Sequence, residues 1–253
     1  MELVLDFSIA KVYKNNSQRI RVITESWTSK NIYCSYCGKQ ICQYENNRPV
    51  ADFYCNDDHE EYELKSKAGK IVSSILAGSY DKMIERITSE ENPNLFLLSY
   101  FDKSVNNFCV IPKYLLTPSV IKKRKPLTDT ARRAGWVGCN ILVDNIPEIG
   151  KIFYVKNGII NDKRKVLEQF NKIAFLKQEK IESKGWILDV LKVVDEIGKD
   201  DFTLKDVYDF EQRLAKLHPD NNNVKAKIRQ QLQILRNKGV IDFVSNGNYR
   251  RIK

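Results

Sequence analysis

Two short stretches, Pro49-Val50-Ala51-Asp52 and Glu63-Leu64-Lys65, constrain this chain more than any other feature in it. Strand side chains alternate between faces, so Glu63 and Lys65 share one face while Leu64 points to the core. Asp52 lies in an apolar stretch that also reads as a strand. A hairpin turn through Cys55-Asn56-Asp57-Asp58 carries it antiparallel to the Glu63 strand and gathers three charges on one edge. Two carboxylates supply hard oxygen ligands for Mg²⁺, and a lysine beside them can orient or help deprotonate a water and offset charge on a phosphate under attack. The chemistry expected is phosphodiester hydrolysis. The same spacings also arise as surface ion pairs, so the reading depends on the rest of the chain.

Charge supports it. The 253 residues include 42 Lys and Arg against 32 Asp and Glu, a formal net charge of +10. Such an excess points to a polyanionic partner, and nucleic acid is favoured over a membrane because no apolar run approaches the length of a spanning helix. Hydrophobic residues make up 42% of the chain, enough to bury a core in one large or two modest domains. The start, Met1-Glu2-Leu3-Val4-Leu5-Asp6, has neither the basic n-region nor the apolar h-region of a signal peptide, so a cytoplasmic protein is expected. In that compartment six cysteines serve as thiols or metal ligands more readily than as disulfides.

Four of those cysteines fall between residues 34 and 55, and Cys34-Ser35-Tyr36-Cys37 has the two-residue gap of a zinc knuckle, followed by Gly38 for the turn. Cys55 supplies a third thiol. The fourth ligand is open between Asp58, which has the knuckle spacing, His59, which is the better zinc donor, and Cys42. A structural Zn²⁺ here would fix the turn that carries Asp52; the alternative is a set of free thiols in a small loop domain. Cys109 and Cys139 sit in apolar surroundings and read as core residues.

Ser17 is positioned to cap a helix through Trp27, and a second helix is expected from Ser79 to Glu90 with Tyr80, Met83, Ile84 and Ile87 buried. Two strands follow, around residues 95–100 and 108–111. Helix, two strands, helix, two strands suits the α/β core of restriction-type nucleases. Beyond it lie Lys122-Lys123-Arg124-Lys125 and Arg132-Arg133, with Pro126 between them to prevent one continuous helix. This is either a solvated basic loop or a strip of phosphate contacts. The latter is favoured because it leads into Ala134-Gly135-Trp136-Val137-Gly138, where glycines let backbone approach a ligand and Trp136 can stack on a base or receive a methyl group, unless it is simply a core tryptophan.

After Phe170 the character changes. Residues 177–183 are polar and charged, as in a linker, and a second domain is expected from residue 183 to 253, leaving 1–182 as the first. Ile187, Val190, Leu191 and Val194 mark its first helix. Thr203-Leu204-Lys205-Asp206 is a capping-box start for a second helix, with Val207, Phe210, Leu214 and Leu217 buried. The third begins near Asn223. Its core side is Val224, Ile228, Leu232 and Leu235, with Lys225, Arg229, Gln233 and Arg236 turned away from it. Two strands around Ser245-Asn246-Gly247 complete a winged helix-turn-helix. Residues 184–220 carry a net charge of −3 and residues 221–253 a net charge of +7, which places the basic face on the third helix and wing. Gln230 and Gln233 can pair with adenine, and Arg229 or Arg236 with guanine or phosphate.

With these residues in view, the chain resembles the DpnI restriction endonucleases of bacteria, which cut GATC sites whose adenine is N6-methylated. The resemblance is carried by Cys34-x-x-Cys37, residues 45–55, Glu63-Leu64-Lys65-Ser66-Lys67, Thr130-Ala131-Arg132-Arg133-Ala134-Gly135-Trp136 and residues 227–236, and it spans nearly the whole chain. It implies a PD-(D/E)XK nuclease domain with Asp52, Glu63 and Lys65 catalytic, and a winged helix that also reads double-stranded DNA containing N6-methyladenine. The zinc site it implies has four cysteines, and Asp58 stands here in the position of the fourth. The competing class is a zinc-containing winged-helix regulator that binds DNA without cutting it, for which a degraded triad would be the mark.

Overall fold

The computed structural model describes residues 1–45, 50–70, 73–89 and 91–252, so Asn46-Asn47-Arg48-Pro49 of the motif above lie outside the described residues. Helix α1 (Asn16–Asn31) is capped by Asn15 in place of the expected Ser17: Asn15 Oδ1 accepts the Ser17 and Gln18 N–H groups at 2.8 and 3.3 Å. Asparagine satisfies first-turn amides as well as serine does, which moves the start of the helix back. Strands β1 (Cys42–Gln43), β2 (Phe53–Tyr54), β3 (Glu61–Ala68) and β4 (Ser74–Ser79) lead to α2 (Tyr80–Thr88). Ser79 is the N-cap of α2; of the expected apolar stripe Met83 and Ile87 are buried and Tyr80 and Ile84 only half-buried, and Glu90, the expected end, lies outside the described residues. Strands β5 (Asn94–Phe101), β6 (Ser104–Ile111), β7 (Ile121–Lys123), β8 (Gly138–Leu142), β9 (Ile152–Lys156) and β10 (Ile159–Ile160) precede α3 (Lys163–Lys172).

A seven-stranded mixed sheet has the order β1-β2-β3-β5-β6-β9-β10. Its β3 and β5 are parallel neighbours, which demands a crossover, and β4 with α2 provides it. Because β4 leaves the main sheet, it pairs with β8 in a second sheet of order β4-β8-β7. Behind β3 lies an aromatic column. Tyr62 stacks on Phe96 at 4.3 Å, Phe96 meets Phe108 at 5.0 Å, and Phe108 meets Tyr154 edge-on at 5.5 Å. Trp27 of α1 covers Phe108 at 5.6 Å. Each such contact adds about 0.5–1.5 kcal/mol beyond the area it buries. A one-residue slip of β3 would expose Tyr62 and turn Glu63 inward, so the column holds the register Glu63↔Leu95 and Lys65↔Leu97.

The second part begins with α4 (Ile181–Ile197), so the expected linker is shorter than its composition suggested: Ser183 is helical, and Lys184 is buried on that helix. Charged residues formed a helix there because Ile181, Trp186 and Ile187 supply an apolar stripe. Strand β11 (Asp201–Thr203), α5 (Leu204–Tyr208), α6 (Glu211–Leu217), α7 (Val224–Asn237), β12 (Ile241–Ser245) and β13 (Asn248–Arg251) follow. The capping box is formed, with Thr203 and Asp206 each bonding the other's backbone amide. The single helix expected after it is two; Phe210, at the break between them, is half-buried and Leu217 at the end of α6 is exposed. The next residue, half-buried His218, turns inward instead, stacking on buried Trp186 at 3.9 Å and bonding Asp189 through Nε2 at 2.8 Å. Val224, Ile228, Leu232 and Leu235 are buried as expected. Gly247, at φ +74°, turns β12 into β13, and β11 pairs with the outer side of β13. The result is a mixed α/β first part joined to a helix-turn-helix with a wing. Among the described residues no helix is long and apolar enough to cross a membrane.

Candidate active site

Strand β2 pairs with β3 only at Phe53↔Tyr62 and Tyr54↔Glu61 and then diverges from it. The Asp52 N–H still donates to the Tyr62 carbonyl at 2.9 Å, and the next free donor on that edge, the Leu64 N–H, goes to Asp52 Oδ2 at 2.7 Å. A carboxylate thus replaces a strand partner, which fixes it at the edge of the sheet. Glu63 and Lys65 flank Leu64 on the strand and pair with each other, Nζ to Oε1 at 2.6 Å, while both stay partly exposed. Burial pushes the Asp52 carboxyl above its ordinary range, and the nearby Glu63 charge adds to this, against the Leu64 N–H, Lys65 and Arg21. The structure therefore brings Asp52, Glu63 and Lys65 together. Two carboxylates that still repel one another despite these cations suit a hard divalent ion such as Mg²⁺.

One side of this edge was not foreseen. Glu25 of α1, 5% exposed, accepts from Arg21 Nε at 2.6 Å and from Gln43 Nε2 at 3.1 Å. Burial pushes its carboxyl up, while the Arg21 and Gln43 hydrogen bonds oppose that shift. Arg21 in turn reaches Asp52, with Nη2 3.9 Å from Oδ1. The signal available in the sequence was the four-residue spacing of Arg21 and Glu25, which on a helix makes an ion pair.

The thiols converge as well. Donor atoms of Cys34, Cys37, Cys55 and Asp58 lie within 4.8 Å of one another. Cys37 Sγ and Cys55 Sγ are 3.6 Å apart, close to the ~3.8 Å edge of a tetrahedron with zinc–sulfur bonds of ~2.3 Å. Cys34 Sγ donates to Asp58 Oδ2 at 2.9 Å. Backbone bonds Gly38 N–H to Cys34 O and Cys34 N–H to Lys39 O close the knuckle, and Gly38 takes φ +77° at its turn. His59 is not among the converging donors: it sits at φ +59° in the turn, its side chain exposed. Cys42 also stands apart and accepts from Asn56 Nδ2 at 3.3 Å. Burial pushes the Cys34 and Cys37 thiols up, Cys37 to about 11, and a bound cation would relieve this by taking the thiolates. Burial also opposes ionisation of Asp58, but hydrogen bonds from the Cys34 and Cys37 thiols, the Glu60 N–H and the Cys55 thiol together outweigh it and hold that carboxyl low. The donor set fits zinc.

The basic strip is a hairpin excursion between β7 and β8, closed by Arg124 N–H to Gly138 O and Leu127 N–H to Trp136 O, each at 3.0 Å. Lys122, Lys123, Arg124, Arg132 and Arg133 are exposed on it. Trp136 is half-buried, and Gly138 serves it rather than a ligand: a Cβ at Gly138 would lie 2.7 Å from the indole. On α7, Lys225, Arg229, Gln230, Gln233 and Arg236 are all exposed, with Arg229 held by the Tyr208 hydroxyl at 2.7 Å and Lys225 by Glu211 at 3.3 Å.

Residues 1–179 match the family model described as DpnI, the Dam-replacing family, and residues 182–251 match the Dam-replacing HTH domain. The chain belongs to the DpnI family. Membership implies a restriction endonuclease, and the HTH domain makes DNA its partner. Within the DpnI family match fall Asp52, Glu63, Lys65 and the thiol cluster, and within the HTH match falls the exposed basic face of α7.

Proposed function

We propose that this DpnI-family chain is a Mg²⁺-dependent type II endonuclease that hydrolyses double-stranded DNA at GATC sites carrying N6-methyladenine. Residues 1–182 are read as a PD-(D/E)XK nuclease domain stabilised by structural zinc on Cys34, Cys37, Cys55 and Asp58, and residues 183–253 as a winged-helix DNA reader. The observation that carries this reading is the Asp52 carboxylate held on the Leu64 N–H beside the Glu63–Lys65 pair. Asp52 and Glu63 would hold the Mg²⁺, which when bound polarises the phosphate and acidifies water. Lys65, oriented by Glu63, holds the attacking water and takes up or shares its proton. The exposed cations of the 122–133 hairpin and of α7 bind flanking phosphates and set the register of the duplex.

Methyl dependence has a physical basis in the apolar group that N6-methylation adds to the major-groove edge of adenine. One methyl in a pocket is worth roughly 1–3 kcal/mol, so strong dependence requires two methyls, two readers, or both. GATC offers one adenine on each strand. A host with unmethylated adenines would then need no companion methyltransferase.

The test is digestion of one plasmid prepared with and without adenine methylation, in Mg²⁺ and in chelator, followed by end mapping. Cleavage confined to GATC in the methylated plasmid with Mg²⁺ is expected. Equal digestion of both plasmids would overturn the methyl reading, and no digestion of either would overturn the nuclease.

A further inference from the structure

We propose that Arg21 is a further catalytic residue, a guanidinium that grips the phosphate under attack, and that Glu25 is its positioning residue; this rests on the nuclease reading above. Any phosphate hydrolysed at this edge must come within reach of both Lys65 and Asp52, and Arg21 Nη2 stands 3.9 Å from Asp52 Oδ1. The side chain is half exposed, at 47%, so it can meet a substrate without first being uncovered. It lines a groove of about 320 Å³ between α1 and β3 together with Lys65 and Lys67.

Its orientation is fixed from behind. Glu25 Oε1 takes the Nε proton at 2.6 Å, and Glu25 Oε2 is held by Gln43 at 3.1 Å. With both oxygens committed and the side chain buried, Glu25 acts as an anchor for the guanidinium. Nε is committed to Glu25, and the Asp52 contact at 3.9 Å is too long for a hydrogen bond. Among the described residues the terminal N–H groups make no hydrogen bond, which leaves them to form the paired hydrogen bonds that match two phosphate oxygens. A side chain that only balanced the charge of Asp52 would gain nothing from so fixed a fork.

Full-length Arg21→Ala, Arg21→Lys and Glu25→Gln are compared with wild type in single-turnover cleavage of a methylated GATC duplex. Equilibrium binding of the same duplex is measured without divalent metal over a salt series. Arg21→Ala is expected to slow cleavage about 100-fold, the scale of losing one preorganised donor, and to lower the log–log salt slope of binding by about one, as for one lost phosphate contact. Arg21→Lys should restore the slope but only part of the rate, because a point charge does not replace a fork. Glu25→Gln should keep the slope and slow cleavage less than Arg21→Ala. Cleavage by Arg21→Ala within about threefold of wild type would overturn the proposal, as would slow cleavage with an unchanged slope that lysine fails to improve. Should the alanine variant not fold, Arg21→Lys and Arg21→Gln carry the same comparison. A wild type that does not cleave at all would instead mark failure of the nuclease reading.

Discussion

The Tyr62 hydroxyl lies 3.1 Å from Cys34 Sγ and accepts the Ser35 N–H at 3.2 Å, so the residue next to Glu63 is bonded directly to the thiol cluster. Its carbonyl accepts the Asp52 N–H at 2.9 Å. One fully buried tyrosine therefore joins the candidate metal site to both carboxylates of the candidate active site.

Tyr62→Phe keeps the ring stacked on Phe96 but leaves the buried Ser35 N–H without its acceptor. A loss of about 1–3 kcal/mol in stability is expected, together with faster zinc release to a colorimetric chelator. An unshifted urea midpoint would show that only the ring matters.

Asp52→Ala and Lys65→Ala should each abolish cleavage while leaving specific binding to methylated duplex nearly unchanged, because in the proposed function these residues act on a phosphate and not on base edges. Omitting Mg²⁺ should have the same effect. Gel-shift binding in Ca²⁺ beside cleavage in Mg²⁺ separates the two. Unchanged cleavage in either variant would remove the assignment, and lost binding in Lys65→Ala would recast the lysine as a DNA-positioning group.

The pairing of Glu63 with Lys65 was legible because a period of two places both on one face whatever the rest of the fold does. Asp52 needed only a short turn to join them. Arg21 and Glu25 were not legible as site residues, since their neighbourhood depends on how α1 crosses the sheet edge, a packing outcome with no local signature. The choice of Asp58 over His59 depended on the turn: the positive φ at His59 carries its side chain outward. Gly138 shows the same limit. A glycine two residues from a tryptophan suggests close approach, but that the approaching group is the Trp136 indole itself emerges only from the folded hairpin.

The purified protein should hold about one zinc, and Cys34→Ser should destabilise the first domain because structural zinc couples to folding. Asp58→Ala should lower zinc retention and His59→Ala should not, since only Asp58 converges with the thiols. Asp58→Cys is the informative gain: a fourth thiolate should slow zinc release. Elemental analysis after dialysis against chelator reads all four variants, and a zinc-free, fully active wild type would dispose of the site.

A fragment covering residues 180–253 should fold and bind methylated GATC duplex without cutting it. Starting at residue 184 would remove the first turn of α4, which begins at Ile181, so the boundary matters. Trp186, Ile228, Leu232 and Leu235 are buried in this part, but its apolar core continues into that of the first, with α4 packed against residues 113–115, and Asp195 accepts the Glu148 N–H at 2.8 Å while also binding Arg251 at 2.7 Å. Losing one such contact leaves a carboxylate that water can solvate. Binding should weaken steeply with salt because the exposed face of α7 is cationic. Arg229→Ala should cost about 1–3 kcal/mol if it reads a base, with the loss greatest on the cognate site. The complementary fragment ending at residue 180 should retain weak cleavage, since joining two DNA-binding modules raises affinity through effective concentration and leaves the chemistry of the triad alone. Both fragments are to be titrated with methylated and unmethylated duplexes at two salt concentrations. If the carboxy-terminal fragment binds both duplexes equally, it is an electrostatic anchor and methyl discrimination belongs to the nuclease domain.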